Sequence, residues 1–373
     1  MFLCISVSLC ETAKHLNMEL KSAIHIHLLK WYDSRTREMP WRNHPDPYAV
    51  WVSEIMLQQT QVETVKDFFT RFMAAFPTVA HLADAPQQSV LKAWEGLGYY
   101  TRARNLQKAA QQVIAQGGGL PDTSADWAEL PGVGPYTAAA IASICFGEAV
   151  PVVDGNVARV FARYLGWGDD FRKLPPREKL AAWLLPFIKK SKRPGDFNQA
   201  MMDLGATCCT PRAPSCEACP LRKSCFAFRE GKQSEFPVKP EKKALPVRRM
   251  VAVIVTDAKG RILFTQRTGE KLLEGLWELP SLEVTRKPTP RDATQAVREK
   301  TGLVASGVKH KGKIEHTFSH FKLELDVYAA SDVLGVLDKK HYPTVRFARA
   351  ETLPLTTATR RAILLQQFNM TLS

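Results

Sequence analysis

The chain has 373 residues, a net charge of +14 and 45% hydrophobic residues, with an isoelectric point near 9.4. This length suits two domains, the apolar content excludes a wholly disordered polar chain, and the positive excess asks for a polyanionic partner. No apolar run is long enough to span a bilayer. Met1 to Cys10 is apolar but lacks the basic start and small-residue cleavage site of a secretory leader, which leaves Met18 as an alternative initiator.

Helical periodicity opens over Glu19–Trp31 and is broken by Pro40-Trp41-Arg42. A second helix is expected over Tyr48–Gln61. Its stretch Trp51-Val52-Ser53-Glu54-Ile55-Met56-Leu57 is apolar on nearly every side, so Glu54 is expected to be buried. A carboxyl in such a setting holds its proton to higher pH, which suits a general acid. Glu54 and Gln58 are four apart and share a face. Helices follow over Thr64–Ala75, Gln87–Trp94 and Arg102–Gln116. Between the last two, Gly96-Leu97-Gly98-Tyr99-Tyr100 places two aromatics behind a glycine turn, where either can wedge into a base stack or pack in a helix junction.

Leu130 to Asn156 is the most informative stretch. Gly132 and Gly134 allow a tight turn and the close approach of a partner, Pro135 suits the first position of a helix, and Tyr136–Phe146 reads as that helix, buried. A Gly-x-Gly turn that opens a helix presents free N–H groups to a phosphate. Asp154 follows in a loop before Gly155, where packing gives no reason for an acid. Helices over Asn156–Leu165, Pro176–Ile188 and Asp196–Cys209 complete a mostly helical domain, residues 19–229, behind an N-terminal extension of residues 1–18.

Five of the eight cysteines fall between Cys208 and Cys225, a clustering that favours a metal site in a reducing compartment over a disulfide framework. Cys209-x6-Cys216-x2-Cys219-x5-Cys225 can wrap one compact centre, and spacing alone divides evenly between iron–sulfur and zinc. Cys208 breaks the pattern by one residue. Gly231–Arg249 is polar, basic and Pro-containing, with Lys239, Lys242, Lys243, Arg248 and Arg249, and reads as the linker around residues 230–248. Strands follow. Met250–Val255 and Arg261–Gln266 flank Asp257-Ala258-Lys259-Gly260, a hairpin signal. A short helix over Asp292–Thr301, a strand over Lys322–Ala329 and a closing helix over Ala358–Gln367 make residues 249–373 an α+β domain.

Taken together, these residues resemble the MutY-type adenine DNA glycosylases along nearly the whole chain. Leu130-Pro-Gly-Val-Gly134 matches the hairpin of the helix-hairpin-helix glycosylase superfamily. Val153-Asp154-Gly155-Asn156-Val157 matches its aspartate motif, and Ser53-Glu54-Ile55-Met56-Leu57-Gln58-Gln59-Thr60-Gln61 matches the segment that carries the glutamate of the adenine-specific branch. The cysteine spacing matches the family's 4Fe-4S cluster, held by Cys209, Cys216, Cys219 and Cys225. The resemblance implies a multi-domain fold: an all-α glycosylase domain with an iron–sulfur loop, then an α+β Nudix-like lesion-recognition domain.

The implied reaction is hydrolysis of the N-glycosidic bond of an adenine flipped out of duplex DNA. Glu54 protonates the base and then activates water, and ionised Asp154 stabilises the oxocarbenium-like sugar or bonds to it. Tyr136 and Asn156 match positions that support these two acids. Gln58, Gln59 and Tyr99 or Tyr100 are candidates to fill or wedge the vacated stack, and the N–H groups of Gly132-Val133-Gly134 hold the DNA backbone. Bifunctional relatives carry a lysine where this chain has Tyr136, so no Schiff base is expected. In the second domain, the motif that holds metal in Nudix hydrolases aligns with Gln295, Ala296, Glu299 and Lys300. One acid among these four implies binding without hydrolysis. Phe318-Ser319-His320 matches the loop that checks for 8-oxoguanine opposite the adenine. The implied partner is double-stranded DNA with A:8-oxoguanine or A:G mispairs, met by a monomer on the nucleoid of a bacterial cytoplasm, without a membrane. The competing readings are an endonuclease-III-like lyase, a Nudix pyrophosphohydrolase and a non-enzymatic DNA binder. Tyr136, the missing acids, and the apolar settings of Glu54 and Asp154 argue against them in turn.

Overall fold

Residues 23–371, apart from 36, 43–45, 239–243 and 270–271, are described in a computed structural model of the chain. The extension 1–18, the start of the first helix at Glu19 and the linker lysines Lys239, Lys242 and Lys243 lie outside the described residues. The described residues of 1–73 and 112–241 form one compact unit, and those of 74–111 and 242–373 form another.

The first unit is helical. Its members are α1 (Ile24–Asp33), α2 (Pro47–Leu57) and α3 (Val62–Ala75), whose last residues pass to the other unit. Residues 74–111 carry α4 (Val79–Asp84), α5 (Gln87–Ala93) and most of α6 (Thr101–Ala115). The first unit resumes with α7 (Ser124–Ala128), α8 (Pro135–Phe146), α9 (Gly155–Leu165), α10 (Leu174–Ser191), α11 (Pro194–Asp203) and a short α12 (Phe226–Arg229). Helix α2 starts where Asp46 accepts from Tyr48 N and Pro47 takes the first position. Tyr48 and every residue from Val50 to Met56 are buried, so this helix is apolar all round because it is enclosed all round. It ends at Leu57 and not at Gln61: Gln58 leaves the helical region and Gln59 is left-handed at φ 58°. Helix α8 is buried over Thr137–Ser143 and is closed by Gly147 at φ 72°. A core built on Phe161, Tyr164, Leu184, Phe197 and Leu204 joins α1, α9, α10 and α11. The last predicted helix, Asp196–Cys209, is two pieces: α11, then a π-helical turn over Leu204–Cys208.

The second unit carries the sheets. Strands β1 (Val247–Val255), β4 (Ser281–Val284), β6 (Lys309–Thr317) and β7 (Lys322–Ala330) form a sheet in the order β4-β1-β7-β6. Here β1 and β7 are parallel, and β4 and β6 are antiparallel to their neighbours. Strands β2 (Ile262–Gln266), β3 (Trp277–Glu278) and β9 (Val345–Ala348) form a second sheet in the order β3-β2-β9, and β5 (Val304–Ser306) pairs with β8 (Asp332–Leu334). The expected β1–β2 hairpin does not form. Asp257 to Gly260 makes the turn, but only the bridge Thr256↔Ile262 joins the two strands before they enter different sheets. Their outward neighbours are better partners, since β1 gains a nine-residue parallel register with β7. Helices α13 (Pro290–Thr301) and α14 (Thr357–Thr371) complete the α+β unit.

Candidate active site

The hairpin at Leu130 is built as a helix entrance. Gly132 sits at φ 79°, where a side chain is strained. Of the two reasons expected for glycine here, Gly134 meets the second: it is extended at φ −84° as the N-cap of α8, and a Cβ there would meet open space. Glycine at 134 thus leaves room for a close approach from outside and answers no backbone constraint. Val133 is buried and anchors the turn.

Asp154 has a structural reason after all. It is the N-cap of α9, and its Oδ1 accepts from Val157 N at 2.7 Å. Its Oδ2 accepts from Asn156 Nδ2 at 2.9 Å. Burial pushes its carboxyl up from the ordinary range, while bonds from Val157 N and Asn156 act to hold the charge. Asn156 is itself held: its Oδ1 accepts from Arg159 Nη2 at 2.9 Å, which also donates to Gly205 O at 2.7 Å. Arg159 Nε donates to Cys209 O at 2.9 Å, so one side chain links the Asp154 cap to the first cysteine of the cluster motif. Gly205 is required for this approach, because a Cβ would lie 2.6 Å from Asn156 Cβ. The loop that delivers Asp154 is pinned by buried Asn198, which accepts from Val152 N at 3.1 Å and donates to Val150 O at 2.9 Å.

Glu54 is buried at 5% exposure, as its apolar helix predicts. Its Oε2 accepts from Tyr136 OH at 3.0 Å. Burial raises its carboxyl from 4.5 to about 7; the Tyr136 bond opposes this, and the nearby Asp154 charge adds to it. Glu54 is therefore still substantially protonated near neutrality, while the N–H donors on Asp154 favour its charged form against the burial that raises it. Two cavities meet between these acids. The outer cleft is lined by Gln58, Gln59, Gly134, Tyr136, Asp154 and Arg177. The inner pocket is lined by Glu54, Tyr136, Asp154 and Asn156 together with Trp41, Arg42, Gln199, Met202 and Asp203. Gln58 Nε2 donates to Thr137 Oγ1 at 3.1 Å, and Gln59 is exposed on its strained backbone. Trp41, the thioether of Met202, the amide of Gln199 and the carboxyl of Glu54 line the inner pocket, a set that suits a flat heteroaromatic base.

Sequence reasoning missed this inner lining. Arg42 donates to both oxygens of Asp203, at 2.7 and 3.3 Å, and both residues line the pocket. Trp41 and Arg42 read only as a helix break. Gln199, Met202 and Asp203 lie on α11 in a run with no separate motif; the available signal was polar Asn198 and Asp203 on an apolar helical face.

The cysteines gather as their spacing asks. Cys209, Cys216, Cys219 and Cys225 line one cavity together with Arg163, Gln233 and Cys208. Arg163 Nη1 donates to Cys209 Sγ at 3.3 Å, and Gln233 Nε2 to Cys216 Sγ at 3.9 Å. Cys208 is not outside the site: its Sγ donates to Ser215 O at 3.2 Å beside Cys219. Among the described residues no group of His, Cys, Asp or Glu is arranged to hold a single metal ion. Four thiols around a cavity, with N–H donors aimed at two of the sulfurs, are a donor set that fits a larger thiolate-held cluster.

Residues 52–185 match the HhH-GPD superfamily of base excision DNA repair proteins, and residues 250–365 match the NUDIX domain. An adenine DNA glycosylase of Mus musculus is 38% identical, over 83% of this chain and 70% of its own length. One of Buchnera aphidicola subsp. Acyrthosiphon pisum is 34% identical over 80% and 84%. The chain belongs to the adenine DNA glycosylase family.

The human adenine DNA glycosylase is 39% identical, and the chain spans 65% of its length. Among solved structures, a thermostable thymine-DNA glycosylase aligns over 57% of this chain and 98% of its own, at 29% identity and a TM-score of 0.52. Both structural expectations hold for this glycosylase: a helix-hairpin-helix α domain and an α+β Nudix-like domain. Among the described residues no helix is long and apolar enough to cross a membrane.

In the second unit, Tyr99 and Tyr100 separate cleanly. Tyr100 is 3% exposed and its hydroxyl accepts from Gly96 N at 3.2 Å, whereas Tyr99 is left-handed at φ 48° and 49% exposed. Tyr99 shares a cavity with Phe318, Ser319, His320 and His316. Phe318 stacks on Phe321 at 4.4 Å, and its N–H donates to Phe321 O at 2.9 Å. This tight turn leaves Ser319 and His320 exposed, with Ser319 Oγ 3.2 Å from His320 Nδ1. At the four positions aligned with the Nudix motif, Ala296 is buried, Gln295 Nε2 donates to Glu299 Oε1 at 2.7 Å, and Lys300 is exposed.

Proposed function

We propose that this glycosylase is monofunctional and hydrolyses the N-glycosidic bond of adenine mispaired with 8-oxoguanine or guanine in duplex DNA. The observation that carries the reading is the pair of acids at one pocket: Glu54, whose proton burial holds to about pH 7, and Asp154, whose charged form the donors of a helix start favour against the burial that raises its carboxyl. Burial raises both carboxyls, but only Asp154 is met by N–H donors that favour its charge, and that difference assigns the acid and the anion.

The adenine leaves the stack and enters the inner pocket, against Trp41 and Met202. Glu54 gives its proton to the base, which makes adenine a leaving group. Tyr136 holds the Glu54 carboxyl in place through the 3.0 Å bond. Asp154, oriented by Asn156 and Val157 N, faces the positive charge that develops on the sugar. Glu54, now a carboxylate, accepts a proton from the attacking water. No amine stands at position 136, so the sugar is not captured as a Schiff base and the strand is left intact. The N–H groups at Gly132-Val133-Gly134 bind a backbone phosphate, while Gln58, Gln59 and exposed Tyr99 fill the gap in the duplex. Cys209, Cys216, Cys219 and Cys225 would hold a 4Fe-4S cluster, whose chemistry here is to tie the 209–225 loop into one ligand set. Phe318, Ser319 and His320 read 8-oxoguanine on the opposite strand. Replacing Ser319 and His320 by alanine tests that assignment: preference for 8-oxoguanine over guanine should fall, and an unchanged preference would refute it.

A further inference from the structure

Glu95 is bonded more heavily than a turn residue needs. It leads into Gly96-Leu97-Gly98-Tyr99, and its side chain is 9% exposed. It accepts from Arg360 through both Nε and Nη2, from Lys92 Nζ at 2.8 Å and from Leu355 N at 2.9 Å. These bonds hold its carboxyl below the usual range against the burial that would raise it. Arg360 lies in the first turn of α14. The next residue, Arg361, donates from Nη1 to Glu315 O at 2.8 Å, on the strand that runs into Phe318-Ser319-His320. Thr357 and Ala358, at the start of the same helix, line the cavity shared by Tyr99 and that loop. One helix end thus grips both walls of the cavity: the Tyr99 wall through Arg360, and the reader-loop wall through Arg361.

The rest of the 74–111 segment has its own anchors. Trp277 Nε1 donates to Gln88 Oε1 at 2.9 Å, Gln88 Nε2 donates to Gly275 O at 3.0 Å, and Arg104 Nη1 donates to Glu274 O at 2.7 Å. Loss of the Arg360 contact therefore leaves the segment docked and changes the setting of the turn.

We propose that the Arg360–Glu95 pair is a positioning element for lesion recognition, setting Tyr99 against the Phe318-Ser319-His320 loop so that 8-oxoguanine and guanine opposite the adenine are told apart. This rests on the reading of that loop as the lesion reader. Paired, two-point arginine–carboxylate contacts fix geometry as well as energy, which is what a wedge and a reader acting on one base pair require.

The test uses the full chain and two duplexes, with adenine opposite 8-oxoguanine or opposite guanine. Single-turnover excision rates are compared for wild type, Arg360→Met, Glu95→Gln, the double variant and Ser319→Ala. We expect the 8-oxoguanine preference to fall about tenfold in Arg360→Met and in Glu95→Gln, the size of one charged contact. The double variant should lose no more than either single variant, because all three remove the same contact. Parallel slowing on both duplexes would mark a merely structural role and overturn the proposal. So would an unchanged preference in Arg360→Met and Glu95→Gln while Ser319→Ala lowers it. An unchanged preference in Ser319→Ala would instead remove the reader-loop reading, and the proposal with it.

Discussion

Replacing Glu54 by glutamine should inactivate the enzyme and, increasingly above pH 4.5, stabilise it. In the unfolded chain this carboxyl ionises near its ordinary 4.5, and in the folded chain burial holds the proton to about 7. Between those values the unfolded state is the one that releases the proton, so folding stability falls by about 1.4 kcal/mol per pH unit. Stability is complete below the unfolded value and settles roughly 3 kcal/mol lower once pH has risen through the folded value. Glutamine carries no charge at any pH and can still accept the Tyr136 hydroxyl. The difference between Glu54→Gln and wild type should therefore be near zero at pH 4.5, grow to about 3 kcal/mol by pH 7 and then level off. Urea unfolding followed by tryptophan fluorescence at a series of pH values measures it, and contributions from other titrating groups cancel in the difference. An offset that stays constant from pH 4.5 to 8, or a variant less stable than wild type at pH 8, would refute the assignment of Glu54 as a buried, neutral acid.

The same carboxyl governs rate. Single-turnover excision should decline as pH rises through about 7, where Glu54 loses its proton, and a rate that climbs through that range would exclude it as the acid. Tyr136→Phe removes the bond that holds Glu54 down; the alkaline limb should move to higher pH, by about one unit for a bond of about 1.4 kcal/mol, as a pH–rate profile of the variant will show. Asp154→Asn should slow excision by at least about a thousandfold while duplex binding, measured by anisotropy, is retained. Arg159→Met removes the donors to Asn156 Oδ1, Gly205 O and Cys209 O; excision should fall by roughly tenfold or more, while the affinity for intact duplex changes less.

Much of this was legible in the sequence because each feature has a local cause. An unbroken apolar run around Glu54 points to an enclosed helix, and Gly132 with Pro135 suits the start of one. The cysteine spacing likewise placed four thiols on one cavity. What was not legible depends on long-range contact. Asp154 is the exception, since its cap role is local and the helix expected from Asn156 already announced it; which of Gly132 and Gly134 takes the positive φ depends on the fold around the turn. The pocket lining on α11 carries no motif, since Arg42 and Asp203 are 161 positions apart. The β1–β2 turn signal was real, yet the strands chose other partners, because register with β7 outweighs a local hairpin. That residues 74–111 belong with the C-terminal unit follows from bonds such as Glu95–Arg360, which no local pattern announces.

The central claim is hydrolytic removal of adenine without strand cleavage. The most direct measurement incubates the full chain with a duplex carrying adenine opposite 8-oxoguanine and compares strand breaks with and without hot alkali. Breaks at the adenine position that appear only after alkali, together with free adenine, are the predicted result. Breaks formed without alkali, or an enzyme–DNA adduct trapped efficiently by borohydride, would contradict it.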